Sequence, residues 1–415
     1  MLLNQIWQSA NFVSKALFLV ALTPLMLAKW GAEQYGLFAL ASSLLVSMAL
    51  LDGGVRALTR IRMAEALKAG DDRALSRAFA EGMLTFTSVA TVASISGVAL
   101  VLSGLPSIWL HLPAGGSLVL AVTMVTTAIF LVTFLGLEPL AARGHLSTMK
   151  AANTWGSVAA LPICGAAVWL GGSVLLTLVL YSLCSILPNL IVAFRHGIHR
   201  LFPWRDRDIY SLRAIAGTLR SGIWYYLTTV SLIIKTHALT FVVSAMAGTA
   251  EAGLFYILLR VTEIIGNVGA TASETSLASL ASAPDKATRF RSFKHSWQYV
   301  SVFCLHGAIA LGFLGEHMLK LWLPGDHQIV AGLGLAMAVF GLAGAVSRVV
   351  VNAAMGLAMV KPAAMGNLVE AAADVVLAVV GYHLAGLPGL FVGASLGLVA
   401  MLPSAVRVAA RCGES

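Results

Sequence analysis

Charged residues are scarce in this chain of 415 residues, and that scarcity excludes an ordinary soluble fold. Only 11% of the residues are charged and 59% are apolar, whereas a typical soluble domain is roughly 25% charged and roughly 45–50% apolar. Apolar stretches of about 20 residues, the length that a transmembrane helix needs, recur along the whole chain. Runs such as Leu118 to Leu137 also lack the alternation of barrel strands. The sequence therefore predicts an all-α polytopic membrane protein.

Motifs for nucleotide hydrolysis, zinc binding and serine hydrolysis are also missing. The chain has no Gly-x-x-x-x-Gly-Lys-Ser/Thr loop, no His/Cys cluster with zinc spacing and no Gly-x-Ser-x-Gly turn. We therefore expect no cofactor, no metal site and no enzymatic activity. The net charge of +9 indicates membrane orientation rather than nucleic-acid binding, because no soluble domain remains to bind nucleic acid.

Hydropathy predicts about twelve transmembrane helices. The predicted spans are Ile6–Ala28, Tyr35–Leu58, Ala78–Ser103, Ser117–Leu140, Ser147–Gly171, Val174–Phe194, Ile215–Ala247, Ala252–Ala281, Ser292–Leu314, Gln328–Val351, Pro362–His383 and Leu387–Val406. Most of the 27 lysines and arginines fall in every second loop, and the opposite loops hold only Lys29 and Lys320. The positive-inside rule then predicts a multi-pass protein of the bacterial inner membrane with both termini in the cytoplasm.

An internal repeat divides the chain into two halves. The residues Leu22, Thr23, Gly31, Gly36, Leu37 and Phe38 recur 217 positions later as Leu239, Thr240, Gly248, Gly253, Leu254 and Phe255. Because six helices per half is an even number, both halves would run in the same direction. A pseudo-twofold axis along the membrane normal would then relate the two bundles, with a substrate site in a central cavity between them. We expect an N-terminal six-helix bundle at residues 1–200, a cytoplasmic linker at 201–214 and a C-terminal six-helix bundle at 215–415.

Three basic residues, Lys15, Lys235 and Arg260, lie well inside predicted spans. A cation near the bilayer midplane costs at least about 2.5–3.5 kcal/mol, so it normally faces a wet cavity or a partner. Lys15 and Lys235 belong to equivalent helices of the two halves and differ by about one helical turn, which predicts that they face the same space. As alternatives, Lys15 reaches the membrane surface, or Arg260 pairs with Glu263 three residues later.

Buried acids form a second set, and Glu263, Glu370 and Asp374 are its main members. Such a carboxyl either binds and releases a proton or coordinates Na⁺, and both would couple transport to an ion gradient. The other interpretation is structural pairing with the cations. Four candidates carry less weight: Asp52, Arg56, His237 and His306. Asp52 has a local partner in Arg56, and a hydrogen-bonded core position is the commoner explanation for each intramembrane histidine.

The hairpin of the first two spans carries a family resemblance. The segments Gly31-Ala-Glu-Gln-Tyr-Gly-Leu-Phe38 and Leu51-Asp-Gly-Gly54, the basic loop after them and the second copy Gly248-Thr-Ala-Glu-Ala-Gly-Leu-Phe255 are similar to the O-antigen (Wzx-type) and exopolysaccharide flippases. These belong to the polysaccharide transporter branch of the multidrug/oligosaccharidyl-lipid/polysaccharide (MOP) exporter superfamily. In hydropathy and repeat layout the resemblance covers nearly the whole chain.

The resemblance implies two six-helix bundles and alternating access for a polyprenyl-pyrophosphate-linked oligosaccharide, coupled to H⁺ or Na⁺. It also implies that basic residues of the first, seventh and eighth helices hold the pyrophosphate, and the matching positions are Lys15, Lys235 and Arg260. Two of these are lysines where related flippases often have arginine, which grips phosphate with two hydrogen bonds. Membrane lipids and a polysaccharide polymerase would be further partners.

Two alternatives remain at this point. A multidrug or small-molecule exporter of the same superfamily would favour cationic compounds and therefore an acidic rather than a basic cavity. A non-transport subunit of a polysaccharide assembly complex would have no cavity at all.

Overall fold

The structure is a computed structural model that describes residues 2–48, 55–143, 145–201, 212–282, 285–323, 329–357 and 359–413. Helices dominate these residues. In lipid every backbone N–H and C=O must be satisfied within the chain, and long apolar segments achieve this as helices.

The described residues of the first part of the chain form eight α-helices and a short 3₁₀ turn. They are α1 (Leu2–Ser47), α2 (Val55–Ala69), α3 (Asp72–Leu102), α4 (Leu105–Trp109), α5 (Gly116–Leu135), α6 (Glu138–Ala142), α7 (Leu146–Trp169), α8 (Val174–Arg195) and the 3₁₀ turn Ile198–Leu201. Two predicted spans lie in α1, which bends at Gly31 (φ 77°), a left-handed conformation that favours glycine.

From Leu212 onward, the residues that the structure describes form eight further helices, interrupted by two π turns and a 3₁₀ turn. They are α9 (Leu212–Ile233), the π turn Ile234–Ala238, α10 (Leu239–Ala247), α11 (Thr249–Ser282), α12 (Lys286–Tyr299), the π turn Val300–Cys304, α13 (Leu305–Trp322), α14 (Leu333–Gly356), α15 (Val360–Leu396), the 3₁₀ turn Gly397–Met401 and α16 (Leu402–Gly413). The seventh and ninth predicted spans therefore each contain a π turn.

Within the described residues, nine segments are long and apolar enough to cross a membrane. Two of them, Val13–Ser47 and Val360–Arg411, each overlap two predicted spans, joined at the bends Gly31 and Gly386. The eighth predicted span lies in α11, which is not among the nine. The described helices thus account for all the predicted spans.

Several predicted span ends differ from the described helices, and two of these differences concern basic residues. The second span was expected to reach Leu58, but α1 ends at Ser47 and a separate helix, α2, begins at Val55. That helix carries Arg56, Arg60 and Arg62, which are too costly for the hydrocarbon core. The tenth span was expected to end at Val351, but α14 continues to Gly356.

The chain forms two compact units. The first contains Met1–Tyr226 and Ser244–Gly253, and the second contains Leu227–Val243 and Leu254–Ser415. In the first unit α7 packs against α1 and α8, and α3 packs against α2 and α5; in the second, α14 packs against α13 and α15, and the π turn Ile234–Ala238 contacts α15. The halves predicted at residues 1–200 and 215–415 stay a prediction.

Two equivalent glycines of the sequence repeat meet in the first unit. A Cβ atom added to Gly36 would lie 1.7 Å from the Thr249 carbonyl oxygen, and one added to Gly253 would lie 3.0 Å from the Gly36 Cα atom. The two hairpin motifs therefore cross at their glycines, where only the absence of side chains allows the backbones to approach.

Candidate functional site

Lys235 lies in the π turn Ile234–Ala238, where the helix widens by one residue. Its Nζ atom donates to Asn367 Oδ1 at 2.5 Å and to Ser347 Oγ at 3.0 Å, and it forms an ion pair with Glu370 Oε2. Only 8% of the lysine is exposed. The widened turn thus directs one ammonium group into a set of oxygen atoms inside the second unit. Single π turns in helices are frequent at functional sites.

Three polar residues of α15 form the other wall of this cluster. Asn367, Glu370 and Asp374 are spaced three and four residues apart, which puts them on one helix face, and all three are buried. The Asn367 amide also donates to the Thr228 carbonyl at 3.3 Å, so its oxygen is turned towards Lys235. Ser347 of α14 accepts from Lys235 and donates to Glu370 Oε2 at 2.9 Å.

Asp374 extends the cluster towards the 3₁₀ turn Gly397–Met401. It is 4% exposed and lies close enough to Lys235 and Glu370 for electrostatic interaction with both. Among the described residues, its Oδ1 atom has no hydrogen-bond partner. We call Lys235, Ser347, Asn367, Glu370 and Asp374 the ammonium cage.

Arg260 and Glu263 form a second ion pair in the same unit, on α11. The Nη1 atom of Arg260 donates to Glu263 Oε2 at 2.6 Å, and its guanidinium lies over the Tyr256 ring at 4.7 Å from the centroid. The pairing at a spacing of three residues was one of the two interpretations left open by the sequence. His237, two residues after Lys235, is buried with its Nε2 atom 3.9 Å from Glu263 Oε1.

Arg348 is a basic residue that the sequence interpretation missed. It lies three residues before the predicted end of the tenth span, and α14 continues eight residues beyond it, to Gly356. Its Nη1 atom donates to Asn267 Oδ1 of α11 at 2.7 Å. A longer tenth span would have revealed it.

Lys15 lies on α1 in the first unit and is exposed. The preceding residue, Ser14, is buried and donates to the Asn11 carbonyl at 2.9 Å. A shared role of Lys15 with Lys235 and Arg260 stays a prediction.

Arg56 belongs to an ion-pair cluster of the first unit. Its Nε atom donates to Glu138 Oε1 at 2.9 Å, and the Nε atom of Arg60 donates to Glu138 Oε2 at 2.6 Å. Glu138 is fully buried, and the Arg56 guanidinium lies over the Phe134 ring. Asp52, the partner expected from the sequence, lies outside the described residues.

The core position expected for His306 is wrong. His306 is exposed on α13, and its Nδ1 atom contacts the Val302 carbonyl, one turn earlier. The adjoining π turn rotates α13, so that Cys304 and Ala308 enter the core instead. Along the described ranges there is no cluster of three or more His, Cys, Asp or Glu residues that could hold a metal ion.

Comparison with solved structures identifies the fold. An inward-facing multidrug resistance MATE family transporter of the MOP superfamily superimposes with a TM-score of 0.77 at 14% sequence identity, over 97% of this chain and 95% of that chain. The chain has the fold of MOP superfamily transporters. That fold has twelve transmembrane helices in two bundles, which confirms the all-α polytopic architecture predicted from the sequence.

Two further MOP structures give the range of the similarity. An outward-facing multidrug resistance MATE family transporter has a TM-score of 0.65 at 16% identity, over 99% of this chain and 94% of that chain. A MOP superfamily transporter from Pyrococcus furiosus has a TM-score of 0.54 at 15% identity, over 99% of this chain and 94% of that chain. That protein is described as having a binding pocket of reverse polarity, which suggests a different function. No family model matches the sequence, and no curated protein does.

Proposed function

We propose that this chain is an inner-membrane flippase that moves a polyprenyl-pyrophosphate-linked oligosaccharide from the cytoplasmic to the periplasmic leaflet. Lys15, Lys235 and Arg260 would hold the pyrophosphate, and Glu263, Glu370 and Asp374 would couple transport to H⁺ or Na⁺. The observation that carries the proposal is the set of basic side chains on apolar helices of a MOP fold.

The pairing of the acids on these helices supports an anionic rather than a cationic substrate. Lys235, Arg260 and Arg348 lie on apolar helices of the second unit, and Lys15 adds a further cation on α1. An exporter of cationic compounds needs carboxylates that are not already engaged. Glu263 and Glu370 are each in an ion pair with a basic residue.

The ion pairs suggest how an anionic headgroup would be bound. A buried cation left alone costs several kcal/mol, so the protein must neutralise it whenever substrate is absent. Glu370 and Glu263 provide that neutralisation for Lys235 and Arg260. A pyrophosphate offers several anionic oxygens for charge-assisted hydrogen bonds and would replace the carboxylates as partner of both cations.

Transport by alternating access is supported by the fold's neighbours. MOP structures of this fold are known in an inward-facing and in an outward-facing conformation. The Pyrococcus furiosus protein is described as having reversed pocket polarity, so the same fold is not restricted to one sign of substrate charge. A polar glycan would move through a wet site while its polyprenyl tail stays in lipid.

A multidrug or small-molecule exporter is the second candidate, because the most similar structures above are multidrug MATE transporters. Asp374 is the acid that favours it, since its Oδ1 atom lacks a hydrogen bond within the described residues. A non-transport subunit of a polysaccharide assembly complex would need none of these intramembrane charges.

Glycan display in cells tests the proposal. In a bacterial strain whose surface glycan depends on this chain, Lys15→Ala, Lys235→Ala and Arg260→Ala should each abolish display while membrane expression is retained. Lys29→Ala is the matched control, because Lys29 is an exposed lysine that lies over the Trp169 ring, away from the proposed site. Normal display by all three variants would reject the cation site.

A further inference from the structure

The ammonium cage resembles a cation site that is already filled. Oxygen atoms of a hydroxyl, an amide and a carboxylate surround the Lys235 Nζ atom, and a second carboxylate, Asp374, lies nearby. Hydroxyl, amide and carboxylate oxygens are also the ligands of hard inorganic cations. In membrane transporters such sites lie where helices are interrupted, and here the interruption is the π turn Ile234–Ala238.

We propose that the Lys235 ammonium group occupies the position of a coupling cation, so that this cage excludes Na⁺. The inference rests on the proposed transport function for its coupling role, but the occupancy of the cage is independent of the substrate.

Asp374 completes the cage. Its Oδ1 atom lacks a hydrogen-bond partner in the described chain, and it interacts electrostatically with Lys235 and Glu370. Glu370 contacts both Lys235 and the Ser347 hydroxyl, so the ammonium group has two carboxylates as neighbours.

The neighbouring elements bring no further acid to Asp374 in the part that the structure describes. Lys235 of the π turn and Glu370 of α15 interact electrostatically with Asp374, and Arg348 of α14 interacts with Lys235. The 3₁₀ turn Gly397–Met401 contributes only backbone and apolar side chains. Na⁺ would therefore need the place of the ammonium group, and that group is tethered to the chain, which gives it a high effective concentration at this position.

Binding of ²²Na⁺ to the purified chain in detergent tests the proposal without any lipid-linked glycan. Wild type should show no saturable binding. Lys235→Ala should gain a saturable site, because Ser347, Asn367, Glu370 and Asp374 would be left to coordinate the ion. Adding Asn367→Ala to Lys235→Ala should remove that site. Lys29→Ala, the matched control, should bind no more Na⁺ than wild type.

Saturable ²²Na⁺ binding by wild type that Asp374→Asn or Asn367→Ala abolishes would overturn the proposal, and so would a folded Lys235→Ala variant that gains no site. If Lys235→Ala does not fold, ²²Na⁺ binding by wild type and by Asp374→Asn tests the proposal. No saturable binding in either protein supports the filled cage.

A chain that binds no Na⁺ and moves no glycan lipid would reject the flippase function while leaving the cage as described. A chain that binds Na⁺ here and moves the lipid would reject only the cage.

Discussion

Gly397 lies so close to Asp374 that a Cβ atom added to it would be 1.8 Å from the Asp374 Oδ1 atom. Gly397 begins the 3₁₀ turn after α15, and both residues are buried. The carboxyl group therefore occupies the space that a side chain at position 397 would need. The position of Asp374 in the ammonium cage depends on this glycine.

Gly397→Ala is expected to displace the Asp374 side chain and lower the stability of the second unit. Overpacking of this kind typically costs about 1–3 kcal/mol. Thermal unfolding in detergent should show a lower midpoint for Gly397→Ala and partial recovery for Gly397→Ala with Asp374→Ala. Gly344→Ala is the control, since a Cβ atom there would have no other atom within 4 Å. Equal midpoints for Gly397→Ala and Gly344→Ala would contradict the close contact.

The Lys235–Glu370 pair predicts a strong coupling between two substitutions. Lys235→Met or Glu370→Met alone leaves a buried charge without its ion-pair partner, which typically costs about 3–5 kcal/mol. The double variant removes both charges and should be more stable than either single variant. A double-mutant cycle from denaturant unfolding measures the coupling. Additive losses in the double variant would show that the two charges do not stabilise each other.

Glu138 is expected to stabilise the first unit by neutralising Arg56 and Arg60. Glu138→Gln keeps the shape but removes the charge that both guanidinium groups share. Because the two arginines are partly exposed, the loss should lie near the lower end of the range for buried pairs, at about 3 kcal/mol. Glu81→Gln, which removes the more exposed pairing with Arg62 and Arg77, should cost less than about 1 kcal/mol. The reverse order of the two effects on thermal unfolding would contradict the assignment.

The crossing of the repeated hairpin motifs predicts that Gly36 does not tolerate a side chain. Gly36→Ala would bring a methyl group onto the Thr249 carbonyl, which the backbone can relieve only by separating the two motifs. Gly31→Ala meets no neighbouring atom within 4 Å but has a φ of +77° and a ψ of 172°, so its cost should be limited to about 1–3 kcal/mol of backbone strain. Folded yield after extraction should fall much further for Gly36→Ala; similar yields would argue against the close crossing.

Much of the fold follows from the sequence, because hydropathy alone places a helix at each predicted span. The bends at Gly31 and Gly386 are signalled by glycines between apolar runs. The pairing of Arg260 with Glu263 is local and could be foreseen from their spacing. The π turn that interrupts the predicted span at Lys235 could not be predicted from the sequence, since the flanking residues continue the same apolar pattern.

The long-range contacts could not be predicted from one sequence. Lys235 and Glu370 lie on helices far apart in the chain, and which acid meets which base depends on how each helix is rotated in its bundle. His306 and Arg348 illustrate the same limit, because a boundary error or a π turn moves a side chain to another face. The role of Lys15, on the first unit, stays a prediction for the same reason.

Translocation of a defined lipid in proteoliposomes tests the central claim most directly. The chain would be reconstituted in vesicles that carry a fluorescent polyprenyl-pyrophosphate-linked sugar, and a membrane-impermeant quencher would report which leaflet holds the headgroup. We predict that wild type moves the headgroup between the leaflets. Lys15→Gln should slow this movement about tenfold or more, because a charge-assisted contact is lost. A lipophilic cationic dye should not be transported. Transport of the dye with no movement of the lipid-linked sugar would contradict the account.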